Sequence, residues 1–483
     1  MRKKNVSKED MQSKNIQTAL ASLGNKLKTR KLIVEGSEIN IYFISQIVDR
    51  AGLSSSIIKP ILNYCGNTPL TLETIASSVL YVDDIVLESN IDSLTDYILD
   101  GYAIITDMSC ERYIAANIRK IEKRNISGPQ LQEALKTPRD AFIEDLESNL
   151  SLIQNRIKDP SLVIENYTIG RRSQTKVAVI YLKDVANPII IDDLRTRLNS
   201  IDVDGIIQSG YIQKFLQKGS GKLFPRVGTA ERSESACADI LDGKIIIMAN
   251  GSNLALTIPH VFVEFIDSGD DHYDNIYICI FNKLLRYFAV IFTLILSPLY
   301  IIIVAFHPDF LPPNYILALA VSRATVPINA FVEAFLMELA AELLREATIR
   351  LPKQIGPAIG IVGTIVVGEA AVSAGIVSPL MVIIISLATL SSFSIPDFTI
   401  MNSIRILKFA LIIITGFLGL FGLVMGLTAV MIALLSATSF GVPYLSPIVP
   451  FNFKDLKNYL ISDVKTAKTR PEYVETKDKT RQK

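Results

Sequence analysis

The chain has 483 residues, 49 lysines and arginines against 48 aspartates and glutamates, four cysteines and no tryptophan. The formal net charge is +1, no nucleic-acid partner is expected of the chain as a whole, and Cys65, Cys110, Cys237 and Cys279 are too far apart for a CxxC redox or metal motif. Mean hydropathy is modestly positive, but the average hides three zones: mixed composition up to about Asn282, a largely apolar stretch from Tyr287 to Ser436, and a polar, basic end from Lys454.

The expected fold class is an N-terminal soluble α/β region of two subdomains followed by an all-α multipass membrane domain. Residues 1–31 read as a basic leader, 32–136 and 137–282 as the two subdomains, 283–440 as four or five helical spans, and 441–483 as a polar tail. The start, MRKKNVSKED, has no apolar h-region, so no cleavable secretory signal is expected. With Lys26, Lys28, Arg30 and Lys31 it reads as a solvated, disordered leader or as a contact for a membrane surface or nucleic acid.

In the soluble part, Ile39 to Ile44 reads as a strand and Ile57 to Leu62 as a helix with Pro60 in its first turn. Gly101 to Ile105 reads as a second strand. Phe142, Leu146, Leu150, Ile153 and Ile157 share one helical face. Val177 to Leu182 and Ile245 to Met248 read as buried strands, the latter entering a turn at Asn250-Gly251-Ser252, with a helix over Ile191 to Ile201 between them. Strands separated by helices favour an α/β layer structure.

The apolar zone opens with Tyr287 to Phe306, kinked at Pro298. Tyr315 to Leu344 carries Arg323, Glu333, Glu338 and Glu342, and reads as a crossing or as a broken or interfacial helix. The tract from Ile355 to Pro396 holds one formal charge, Glu369, and divides into Ile355–Ser373 and Leu380–Ile395 around a turn at Ala374-Gly375. Phe409 to Ser436 contains Gly416, Gly419, Gly422 and Gly426, a small-residue ridge for close helix approach. Lys283 and Arg286, then Arg345, Arg350 and Lys353, then Arg405 and Lys408 mark cytoplasmic flanks. Five crossings would place the Lys-rich end outside, so one segment must be re-entrant or miscounted.

Glu338 and Glu342 share a helical face, and Arg345 follows Glu342 by three positions. Charges at membrane depth cost about 3 kcal/mol each and mark pathways, buried pairs or a helix leaving the bilayer. Glu369 is the sharper intramembrane charge, placed near the tip of the proposed hairpin, where water reaches it, or facing a pore or a partner helix. Gly360, Thr364, Gly368 and Ala371, continued by Gly375, form a small-residue stripe around it, for helix packing or for a pore wall. These are the candidate pore or gating residues. The acidic run from Asp267 to Asp274 lacks the Gly and Glu of an EF-hand, and Lys218-Gly219-Ser220-Gly221-Lys222 lacks the spacing of a phosphate-binding loop. His260, His272 and His307 are scattered, so no enzymatic site, cofactor or metal is expected.

Several ordered phrases resemble the A subunit of the GerA-type spore germinant receptors. They are Thr137-Pro138-Arg139-Asp140-Ala141-Phe142 with Asn149 and Arg156, Leu223-Phe224-Pro225, Glu231-Arg232, the Asp270–Asp274 run and Phe306-His307. The apolar part adds Glu342-Leu343-Leu344-Arg345-Glu346-Ala347, Arg350-Leu351-Pro352, Ile361-Val362-Gly363, Ala370-Ala371-Val372 and Ser378-Pro379. The chain departs at Ser233, where the family usually has Pro, and at Glu369, where it usually has Gln. The resemblance implies a multipass protein of the spore inner membrane. It implies a transporter-like B subunit and a lipoprotein C subunit as partners, nutrient sensing with early ion release, and oligomerisation around an ion-conducting path. A non-conducting scaffold for the B subunit is the alternative.

Overall fold

The computed structural model describes residues 27–34, 37–65, 70–107, 112–119, 140–217, 223–350, 356–462 and 467–481. Most of the expected leader, Cys110, residues 137–139, the loop at 218–222 and Lys353 lie outside these residues. The first soluble unit is a sheet of β1 (Leu27–Val34), β2 (Ser37–Ile44), β3 (Ile85–Glu88), β4 (Tyr102–Thr106) and β5 (Tyr113–Asn117) in the order β1-β2-β4-β5-β3. Pairing begins at Leu27↔Ile44, inside the expected leader, because Leu32 and Val34 alternate into the core and carry the basic residues before them onto an edge strand. The helical runs α1 (50–62) and α2 (72–79) cover one face and α3 (Ile91–Leu99) the other. Pro60 sits deep in α1, not in its first turn: the run holds a π-helical stretch at Leu53–Ile58, and the Ser56 carbonyl accepts from Tyr81 N–H at 3.0 Å.

The second unit contains α4 (Leu146–Arg156), β6 (Leu162–Ile169), β7 (Thr175–Leu182), α5 (Pro188–Asn199), α6 (Ser209–Leu216), β8 (Gly228–Ala230), α7 (Ser233–Leu241), β9 (Ile245–Ala249) and β10 (Ala255–Ile258). Its sheet runs β6-β7-β9-β10-β8. Val177, Val179, Ile245 and Ile247 point to one core with α5 and α6, while Ala178, Ile180, Ile246 and Met248 point to a second core with α4 and α7. Burial on both faces explains the uninterrupted apolar runs. The α/β layering holds, but every strand pair in both sheets is antiparallel, because hairpin partners such as β6 and β10 lie beside the strands legible in sequence.

After α8 (Phe262–Ile266) comes α9 (Ile276–Ile301), continued by a π turn at Ile302–Phe306. It starts before the expected Tyr287, so Lys283 and Arg286 lie on the helix instead of flanking it. Both are buried or nearly so, against Asp267 at 2.9 Å and against Asp271, where Nη2 donates at 3.0 Å. The acidic run thus supplies counter-charges to α9. Tyr315 to Leu344 is broken: α10 (Pro313–Arg323) and α11 (Ala330–Arg350) are separate helices. Then follow α12 (Gly356–Ser373), α13 (Pro379–Phe393) and α14 (Phe398–Leu435).

By length and apolar composition α9 with its π turn and α14 suffice to cross a bilayer, but α14 is no straight rod. Its backbone leaves helical geometry at Gly419, φ 60° and ψ −140°. A Cβ on Gly426 would fall 2.5 Å from Leu411 and one on Gly422 2.5 Å from the Ile414 carbonyl, so the chain doubles back as a helical hairpin with Phe306 over its tip. Leu434 consequently returns to Ile400 and Met401 at the hairpin's base. Among the described residues the helical part has six long legs, and the chain after α14 returns to the side of the soluble units.

Those residues are part of the fold. A short hairpin of β11 (Thr438–Ser439) and β12 (Val442–Pro443) adds Phe440 and Val442 to the α5–α6 core. In α15 (Phe453–Ile461), the Tyr459 carbonyl accepts from Lys283 Nζ at 2.6 Å. Farther on, Tyr473 donates to Glu264 at 2.7 Å, and Lys477 N–H reaches the Val185 carbonyl at 2.9 Å. Glu264 also holds Lys244, which bonds Asp239 at 2.6 Å; burial opposes the ammonium charge, but the two carboxylates outweigh it and raise its pKa.

Gly419→Ala is expected to cost about 1–3 kcal/mol, read as a lower unfolding temperature in detergent, since only glycine adopts that backbone conformation freely. Gly210→Ala, where a Cβ meets nothing within 4 Å, is the neutral control. A second expectation concerns acid stability. Burial disfavours the Glu165 carboxylate, yet hydrogen bonds from Arg195, Tyr181 and Tyr167 hold its pKa down at about 2, from an ordinary 4.5. Its stabilisation is full above that ordinary value and is lost as pH falls through the lower one, so Glu165→Gln should flatten the pH–stability curve within that window.

Candidate functional site

Between α9, α11, α13 and α14 the apolar packing is interrupted by a ladder of buried charges. Nearest the soluble units, Glu342 is bonded by Arg405, lies 3.7 Å from Arg345 and 4.0 Å from Lys408. Arg345 donates through Nη2 to Ser392 Oγ at 2.8 Å and lies over the Phe393 ring. One turn deeper, Glu338 is 0% exposed and pairs with Lys408, 1% exposed, while Ser297 Oγ donates to its other oxygen at 2.6 Å. At the far end Glu333 accepts from the Ser378 backbone N–H at 2.6 Å, from Ser378 Oγ at 2.7 Å and from Tyr300 at 2.9 Å, and it pairs with Arg323. Arg323 also donates to the Ile328 carbonyl at 3.1 Å, pinning the break between α10 and α11.

The local sequence explains the placement. Glu338, Glu342 and Arg345 fall at i, i+4 and i+7 on α11, and Arg405 and Lys408 at i, i+3 on α14, so both sets face the same seam. Ser297 and Tyr300 occupy one face of α9 in the same way. Burying an ion without a partner costs several kcal/mol, so each carboxylate meets a cation here. Three cations, Arg345, Arg405 and Lys408, surround two carboxylates, Glu338 and Glu342.

Three of the candidate residues, Glu338, Glu342 and Arg345, are therefore brought together. Arg405 and Lys408 were missed as site residues: as cytoplasmic flanks they should be solvated, whereas they sit inside the bundle. Two cations in an apolar helix, spaced to match two carboxylates elsewhere, were the available signal. Glu333 was visible as a charge in the tract but without a partner to interpret it.

The residues of α12 lie apart from this ladder. Gly368 is buried, with its Cβ direction 3.1 Å from Val382 of α13, and Ala371 is half-buried. At Gly368 the small-residue stripe serves helix packing within the copy. Glu369 is exposed, on the side of α12 that also exposes Val366 and Val367. Gly360 and Thr364 belong to the same helix, but their side chains are outside those described.

The soluble motifs make structural contacts. Asp140 pairs with Arg156 and accepts from Ser233 Oγ at 2.7 Å, so the residue that departs from the usual pattern adds a bond there. Asn149 closes the turn before α4 by bonding both backbone groups of Ile143. Phe224 is buried against Ile400 and Met401 at the base of α14. Among the described residues no group of three or more His, Cys, Asp or Glu side chains could hold a metal ion.

Glu338→Gln or Lys408→Met, which takes the nearest counter-ion from a buried charge, is expected to destabilise the protein by about 3–5 kcal/mol, and the double replacement by two methionines to recover most of that loss. Thermal unfolding of the three variants in one detergent checks it.

A sequence model of the Bacillus/Clostridium GerA spore germination protein family matches residues 14–473. Spore germination protein GerLA of Bacillus cereus is 34% identical over 461 residues, covering 94% of each chain. Spore germination protein KA of Bacillus subtilis is 34% identical over 92% of this chain and 82% of its own. The crystal structure of the N-terminal domain of the A subunit of the Bacillus megaterium spore germinant receptor GerK3 aligns with a TM-score of 0.40 at 21% identity, over 52% of this chain and 95% of that one. The match along nearly the whole length makes this chain a member of the GerA spore germination protein family.

Proposed function

We propose that this chain is the A-type membrane subunit of a nutrient germinant receptor that triggers spore germination. In this reading it is a multipass protein of the spore inner membrane with its soluble units in the cytoplasm. It works with a transporter-like B subunit and a lipoprotein C subunit, and several copies of it surround an ion-conducting path. Family membership and the germination names of its relatives support the receptor role. A relative named as a membrane protein, YfkQ of Bacillus subtilis, 31% identical over 87% of this chain, supports the location.

Glu369 carries the conduction reading. It stands exposed on an apolar helix, and a carboxylate facing lipid at membrane depth costs about 3 kcal/mol. A partner copy or a water-filled path between copies relieves that cost. The candidate residues then divide into two roles. Glu338, Glu342 and Arg345 hold the bundle of each copy closed as a gating latch. The exposed α12 surface around Glu369, on the helix that also carries Gly360, Thr364, Gly368 and Ala371, forms the wall between copies.

The complete receptor in liposomes is expected to pass monovalent cations when germinant is added, and Glu369→Lys to reduce that flux at least tenfold at unchanged protein level. The internal pairing of Glu338, Glu342 and Arg345 is the observation that favours the scaffold alternative. Liposomes that stay impermeable with every combination of subunits and germinants would leave the scaffold as the function.

A further inference from the structure

A cleft of about 550 Å³ opens where the second soluble unit meets the base of the α14 hairpin. One wall is α6 with its flanks, presenting Gln213, Gln217, Tyr211 and Lys214; the other is the first turn of α14, presenting Thr399 and Asn402. The two walls are tied by Ser403 Oγ donating to the Leu223 carbonyl at 2.6 Å.

Its level relative to a bilayer can be read from the packing. Tyr287 to Phe306 measures about 30 Å at about 1.5 Å per residue, the thickness of the hydrocarbon layer. Val290 and Leu294, in the first turns of that stretch, pack with Ile400, Met401 and Ile404. Thr399 and Asn402 therefore lie at the boundary between hydrocarbon and headgroups on the soluble side. Helix α6 stands at the same level and exposes Tyr211 (47%) and Phe215 (42%), one turn apart, on either side of Lys214. Aromatic rings beside a lysine are the side chains that settle at a membrane interface, the rings among the upper acyl chains and the ammonium against phosphate.

We propose that this cleft binds the phosphate headgroup of a membrane phospholipid, with Lys214 on the phosphate, the amides of Gln213, Gln217 and Asn402 on the remaining polar atoms, and Tyr211 and Phe215 as anchors. The site is joined to the buried ladder by one side chain. Asn402 Oδ1 accepts from Arg405 Nη1 at 2.9 Å, and Arg405 holds Glu342. A headgroup that draws Asn402 into the cleft takes an acceptor from Arg405, so lipid occupancy biases the Glu342–Arg345–Lys408 pairing from the membrane surface. The inference rests on the bilayer placement of the helices and not on ion conduction.

The absence of tryptophan makes the test direct, because Phe215→Trp and Phe292→Trp each give the full chain a single reporter. In nanodiscs, Phe215→Trp emission is expected to be quenched by a phospholipid carrying a nitroxide at its headgroup, and Lys214→Gln added to it to weaken that quenching at least threefold. Phe292, exposed on α9, reports insertion itself through a nitroxide on the acyl chain. Quenching at Phe292 without any at Phe215 overturns the lipid site and leaves the membrane placement standing; loss of both overturns both. Inorganic phosphate that saturates the Phe215→Trp response of detergent-solubilised protein at millimolar concentration would assign the cleft to free phosphate and overturn a lipid source.

Discussion

Glu338 and Lys408 meet where neither touches solvent, with Ser297 closing the remaining oxygen. An ion pair in that position gives little net stability compared with apolar packing, yet separating it is expensive because each ion is left alone. Its effect is to select geometry. Helices α9, α11 and α14 share few features that would distinguish one apolar register from the next, and a slip of one turn would strand a charge. The pairing at Glu342 and the one at Glu333 add two further fixed levels. The pairing fixes the height of the first leg of α14, and the hairpin that follows it turns at Gly419 beneath Phe306.

The soluble strands were legible where both faces are buried, as at Val177–Leu182 and Ile245–Met248, since such runs are apolar without interruption. Edge strands such as β1 and β6 were not, because half their side chains are polar and resemble loop or leader. Glu338, Glu342 and Arg345 could be grouped from spacing on one helix. Arg405 and Lys408 offered only a spacing that matches Glu338 and Glu342, since a cation near the end of an apolar segment has the same local sequence whether it flanks a membrane or sits within a bundle. Only the contact with α11 distinguishes the two. The hairpin was signalled by Gly419 among the other glycines, but nothing local marks which glycine turns the chain and which merely admits a neighbour, as Gly416 admits Phe331.

The junction between the soluble and helical parts is unusually continuous for a connection between domains. Phe224, Phe265 and Tyr444 pack in one cluster with Ile400 and Ile404, while Lys283 and Arg286 on α9 are fastened to Asp267 and Asp271. The second soluble unit is joined to α9 and α14 through packed side chains and buried ion pairs, not only through the chain that connects them.

The return of the chain to the soluble side also has a consequence for how the protein is made. Phe440, Val442, Tyr459 and Tyr473 complete the core of a unit whose sheet is synthesised well before them, as the 287 residues that separate Asn187 from its partner Val474 illustrate. That sheet leaves the ribosome with part of its apolar surface uncovered, and the cover arrives only after every helical leg has been delivered. Completion of the soluble unit thus waits on the helices before it, and a chain that stopped before Phe440 would leave that core open.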